Sequence, residues 1–260
     1  MEAVALFVTC VGDLIEPDVP AAAVAVLRAC GATVTVPDGQ TCCGQPAWNA
    51  GFAPEAAAVA RTSLDALEAA LAGDGDSRVV VPAGSCTAMI RLYWPTLFET
   101  VGDHDAAERA RRVGERVVEL TEWVGPRAGS LPPMVAEQPA TVAYHRSCHM
   151  QRELHVIDEP VDLLGRVDGC EVAEWEADDR CCGFGGSFSV KLPEVSSAMA
   201  DDKLDTLPEG VVEVVGADAS CLLQIRTRAQ HRGLPVTTRH VAQVLRDAMT
   251  TAVSAPERGP

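Results

Sequence analysis

Short apolar, β-rich runs alternate with helical stretches along this chain. Val4–Thr9, Val79–Ser85, Thr141–Ser147 and Val211–Ser220 each have the length of one buried strand, and each stops at a cysteine. Between the first two, Pro54–Leu71 opens on Pro-Glu and sets Ala57, Ala60, Leu64, Leu67 and Leu71 three and four apart, which predicts a helix with one apolar face. Pro193–Leu207 occupies the equivalent place between the last two runs. Strands alternating with helices predict an α/β fold built on parallel sheets, and such sheets bind ligands outside the carboxyl ends of their strands, where these cysteines fall.

The cysteines form two matching sets. Cys10, Cys42, Cys43 and Cys86 read C…CCG…SC, and Cys148, Cys181, Cys182 and Cys221 repeat that order at offsets of 138, 139, 139 and 135 residues. A shift so nearly constant is the mark of an internal duplication. The expected organisation is two similar, pseudo-symmetric lobes at 1–125 and 140–253. A linker at 126–139 is rich in proline and glycine (Pro126, Gly129, Pro132, Pro133, Pro139), and a disordered tail follows at 254–260. At 260 residues and 47% hydrophobic, the chain is long enough for two cores.

Charge narrows the function. With 37 acidic against 21 basic residues and a net charge of −16, a nucleic-acid partner is excluded from the expectation. No apolar run approaches a membrane span, and Met1–Cys10 has no basic leader, so a cytoplasmic location is expected. In that reducing compartment ten cysteines read as metal ligands or catalytic thiols rather than disulfides.

Four thiolates from three loops in each lobe suit an iron–sulfur cluster, [4Fe–4S] by preference, held by Cys10, Cys42, Cys43 and Cys86 in one lobe and Cys148, Cys181, Cys182 and Cys221 in the other. Zinc in one lobe is the rival, since structural zinc also accepts four cysteines, although its usual ribbons use paired C-x2-C motifs that this chain lacks. Thiol–disulfide exchange at the vicinal pairs is the third reading. Cys182-Gly183-Phe184-Gly185-Gly186 offers an anionic centre more flexible amides than Cys43-Gly44-Gln45-Pro46, so the two centres are expected to differ. Cys30 and Cys170 fall outside the repeat and read as buried spectators. His145 and His149 flank Cys148; the expectation is a satisfied core side chain and a helix-start residue, with ligation or proton shuttling as the alternative. Trp48, Trp94, Trp123 and Trp175 are expected in the core or between the lobes, and no residue is assigned a catalytic role.

Phe7-Val8-Thr9-Cys10-Val11-Gly12-Asp13, Cys42-Cys43-Gly44-Gln45-Pro46-Ala47, Pro82-Ala83-Gly84-Ser85-Cys86-Thr87, Cys181 through Lys191, and Gly216 through Leu223 together resemble the cysteine-rich CCG-domain proteins and, among them, the lactate utilization protein A family. The resemblance covers nearly the whole chain. It implies two Rossmann-like, parallel-sheet CCG domains in a cytoplasmic oxidoreductase subunit, inactive alone, within a complex oxidising L-lactate to pyruvate. The implied partners are a ferredoxin-like iron–sulfur subunit and a third small subunit. Related CCG domains occur in other 2-hydroxy-acid dehydrogenases, in anaerobic glycerol-3-phosphate dehydrogenase and in heterodisulfide reductases. The heterodisulfide type ends its motif in C-x-x-C, where this chain has Met89 and Gln224, so each lobe lacks that fifth thiolate.

Overall fold

The computed structural model describes residues 2–73 and 75–254. It contains two four-stranded sheets in which every neighbouring pair is parallel. The first sheet comprises β1 (Ala3–Leu6), β2 (Thr33–Thr35), β3 (Arg78–Val81) and β4 (Val117–Glu119); the second comprises β5 (Met134–His145), β6 (Val167–Ala173), β7 (Glu213–Gly216) and β8 (Thr237–His240). Their spatial orders, β2-β1-β3-β4 and β6-β5-β7-β8, are the same when the second is renumbered, so the duplication read in the cysteines extends to the topology. The fold is α/β with two similar lobes.

Alternation within the strands decides what packs where. Val4 and Leu6 of β1, Val80 of β3, Val142 and Tyr144 of β5 and Val215 of β7 all enter one core, together with the helices Asp18–Ala29, Leu120–Val124, Glu159–Leu164 and Val241–Ser254. This shared layer joins the lobes. The intervening residues, Ala5, Phe7, Val79 and Val81, face outward to the helix Ala53–Leu71, whose Ala57, Ala60, Leu64, Leu67 and Leu71 are all buried as their spacing predicts. Ala143 and Val214 do the same in the second lobe. Trp94, Trp123 and Trp175 sit in separate cores, and Trp48 packs half-buried against the first lobe.

Two expected boundaries differ. Residues 126–139, read as linker, hold the rest of a 3-10 turn, Gly125–Ser130, and the first part of β5. Leu131, Met134 and Ala136 draw that segment onto the shared core. Pro139, with no N–H to offer, falls in the irregularity between Val135 and Ala140 where the β5–β6 register shifts. Of the expected tail, Ser254 closes the helix Val241–Ser254, and 255–260 lie outside the described residues. No helix among the described residues is long and apolar enough to cross a membrane.

Glu119, at the end of β4, is fully buried and caps the helix Leu120–Val124. Its Oε2 accepts from the N–H groups of Thr121 (2.5 Å) and Glu122 (3.3 Å), while Oε1 has no partner. Burial pushes its carboxyl up to about 8, against the opposing effect of the Thr121 hydroxyl and the two amides. The native state therefore holds a proton that the unfolded chain releases near the ordinary carboxylate value, and stability falls as pH rises between that value and about 8. Glu119→Gln should melt above the wild type at pH 8, by an amount equivalent to about 1 kcal/mol or more, with the gap closing toward pH 4.5. A gap independent of pH in thermal unfolding would refute this.

Candidate metal centre

The connection from β1 runs to β2 on one side, and the chain then crosses back to β3 on the other. The carboxyl ends of β1 and β3 therefore flank a topological switch point, as do those of β5 and β7. The cysteines are delivered there. Cys10 opens the helical turn after β1, with Thr9 Oγ1 accepting the Gly12 N–H at 3.1 Å; Cys148 follows β5, with Ser147 Oγ accepting from Met150 N–H at 3.4 Å. Cys86 lies in the helix Gly84–Ala88 after β3, and Cys221 in the helix Ala219–His231 after β7. The vicinal pairs come from the loops entering the outer helices.

All eight cysteines line a single cavity of about 120 Å³. The two sets face each other across the joint between lobes, and the joint is fastened beside them. Asp218 Oδ2 of the second lobe accepts the Ser85 N–H of the first at 2.9 Å. Gln45 Nε2 donates to Ser85 O at 3.1 Å and lies 3.2 Å from His149 Nε2, whose other ring nitrogen is 3.6 Å from Cys148 Sγ. Gly84 lets the lobes approach closely here, because a Cβ would force the Met150 side chain of the other lobe to shift.

Electrostatically the two sets behave alike. Cys42 is pulled down to about 3 by hydrogen bonds from the Cys10 and Cys43 thiols and by the Gly44 N–H, 3.4 Å from its sulfur. Cys181 is pulled down to about 2 by Cys148, Cys182 and the Gly183 N–H, again at 3.4 Å. Their neighbours move the other way. Cys10 and Cys43 are raised by their hydrogen bonds to Cys42 and then by burial; Cys148 and Cys182 are raised likewise around Cys181. Cys43 and Cys86 bring their sulfurs within 3.4 Å, yet all ten cysteines are free thiols. Each set holds protons that a cation would displace, and the donors fit a thiolate-bound metal group. Cys30 and Cys170 stay outside the cavity and are half-buried rather than buried as expected, their thiols raised chiefly by burial.

The vicinal motifs depend on their glycines. Gly44 and Gly183 both adopt left-handed backbone, with φ of 85° and 83°. A Cβ on Gly44 would sit 2.8 Å from Ala56 O, and one on Gly183 2.5 Å from Ser196 O, in each case a carbonyl of the outer helix.

Two functional candidates escaped the sequence reading, and a third departs from its favoured expectation. Asp218, at Ala83 in the first repeat, fastens the lobes. Lys203 is fully buried, donates through Nζ to Ala177 O and to Asp178 O (3.0 Å), and lies 4.1 Å from the Trp175 ring. His145, expected as a satisfied core side chain, is buried but unsatisfied, with neither ring nitrogen hydrogen-bonded. The available signal for the first two was charge at positions where the repeat carries Ala83 and Ser63.

Residues 4–91 and 142–226 match the cysteine-rich domain family, once per lobe. The chain is similar to the lactate utilization protein A of an Exiguobacterium species, 41% identical over 97% of this chain and 100% of the relative. It also resembles the protein of that name from Anoxybacillus flavithermus, at 38% over 93% and 98%. Lactate utilization protein A 2 of Bacillus cereus is 34% identical over 93% and 97%.

Gly44→Ala and Gly183→Ala should each destabilise the protein by about 2–3 kcal/mol, combining left-handed strain with displacement of a helix carbonyl. Gly31→Ala, also left-handed but with open space around its Cβ, should lose only about 1 kcal/mol in the same denaturant titrations. Equal losses at all three positions would contradict the contact argument.

Proposed function

The chain belongs to the lactate utilization protein A family of cysteine-rich domain proteins, and on that premise we propose that it is an iron–sulfur electron-transfer subunit of a cytoplasmic complex oxidising L-lactate to pyruvate. The observation that carries this reading is the convergence of two complete four-cysteine sets on one cavity at the joint of the lobes. Cys10, Cys42, Cys43 and Cys86 would hold one group and Cys148, Cys181, Cys182 and Cys221 the other. Clusters bound there would supply one-electron redox chemistry to a reaction that releases two electrons and two protons per lactate.

The protein's own part is to hold the thiolates, to bring the two sets to a common space and to bury Cys43, Cys86, Cys182 and Cys221 while the other four stay half-buried. In this reading the chain acts within an assembly. A ferredoxin-like iron–sulfur subunit and a third small subunit are the proposed partners. Zinc in the second lobe is the second reading, favoured by His145, Cys182 and Cys221, whose donor atoms lie within 4.8 Å of one another in a set that structural zinc accepts.

Deleting the gene should abolish or strongly slow growth on L-lactate while growth on glucose is unchanged. The intact gene should restore it and a Cys43→Ser, Cys182→Ser double variant should not. Normal growth on lactate in a strain with no second copy would overturn the proposal.

A further inference from the structure

We propose that His145 is a nitrogen donor to the metal centre of the second lobe, giving that lobe a mixed cysteine–histidine donor set that the first lobe lacks. The inference rests on the metal-centre reading above. His145 ends β5 at the place where Phe7 follows β1, as the matched alternation of Val4, Ala5 and Leu6 with Val142, Ala143 and Tyr144 requires. Phe7 is fully buried in the apolar core that also takes in Cys43 and Cys86. His145 occupies the corresponding space in the second lobe, and one of its ring nitrogens lies within 4.8 Å of both Cys182 Sγ and Cys221 Sγ.

An imidazole placed there without a partner is costly, because a buried polar group that makes no hydrogen bond forfeits its hydration. His145 is only 1% exposed and has none. The Asp178 carbonyl is a hydrogen-bonding group near the ring, but neither ring nitrogen meets it in hydrogen-bond geometry, and it already accepts from Arg146 N–H at 2.9 Å and Lys203 Nζ at 3.0 Å. A metal ion bound to Cys182 and Cys221 would give the ring its missing partner.

His149, the other histidine beside Cys148, is already engaged with Gln45 and the Cys148 sulfur, so the assignment discriminates between the two. Lys203 adds to the asymmetry. Counting from Ala56 and Ser196, the carbonyls that crowd Gly44 and Gly183, it corresponds to Ser63, whose hydroxyl holds the first lobe's loop by accepting from Thr41 N–H at 2.9 Å and donating to Cys42 O at 3.4 Å. The second lobe thus replaces a hydroxyl with a buried cation and a phenyl ring with an imidazole, both beside its thiols.

The test loads full-length apoprotein with cobalt(II) alone, without oxygen and under reducing conditions, using protein labelled with 14N- or 15N-histidine. Pulsed paramagnetic resonance should show coupling to histidine nitrogen in the wild type and in His149→Ala. That coupling should vanish in His145→Phe, which installs the first lobe's residue, and in His145→Gln. Thiolate-to-cobalt absorption should persist in both His145 variants, with affinity at one of two sites reduced at least about 10-fold. Thiolate-bound cobalt with no histidine coupling in the wild type, or coupling that survives both His145 substitutions, overturns this proposal and leaves the metal-centre reading standing. Failure of the wild type to bind cobalt through thiolates overturns both.

Discussion

Thiols gathered this closely cannot all ionise without repelling one another, and that repulsion sets what the rest of the molecule must provide. In each lobe one sulfur, Cys42 or Cys181, is acidified by its neighbours' protons and by a glycine N–H, and those neighbours are made correspondingly reluctant to ionise. A cation is what releases the whole set. The fold's contribution is to impose the crowding, through strand ends that stop at a switch point and vicinal pairs locked by Gly44 and Gly183 against helix carbonyls that leave no room for a Cβ. Fastening the lobes through Asp218 and Ser85 then turns two separate problems into one shared cavity.

Duplication explains the likeness of the halves, and their differences show where the halves have parted. Strand order, facial alternation, hydroxyl caps and left-handed glycines recur in both. Around the sulfurs, however, the first lobe offers Phe7, Ser63 and Ala83 where the second offers His145, Lys203 and Asp218. A buried ammonium and an unpartnered imidazole change the field felt by any group held nearby, so the two centres are not equivalent even though their thiols are.

Much of this was legible in the sequence because the signals were local. Strand lengths, the apolar face of Ala53–Leu71 and the repeat of the cysteines each follow from residues close in the chain, and the strand-end placement of Cys10, Cys86, Cys148 and Cys221 follows from the run that precedes each. What escaped was relational. That Val4, Leu6, Val142 and Tyr144 share one core, bringing the cysteine sets face to face, depends on which sheet face pairs with which, and an alternating strand does not say that. The segment 126–139 misled through its prolines, since Met134 and Ala136 pull it onto the core despite them. His145 looked like any core histidine until its lack of partners could be seen.

The central claim is that the eight-thiol cavity holds iron–sulfur chemistry. Its most direct test is iron, acid-labile sulfide and zinc per chain in protein purified without oxygen, with absorption and paramagnetic resonance spectra on the same sample. The account predicts iron and sulfide equivalent to about one or two four-iron clusters per chain, with little zinc. Stoichiometric zinc without sulfide, in a colourless preparation that never met oxygen, would contradict it and make the cysteines a structural metal site.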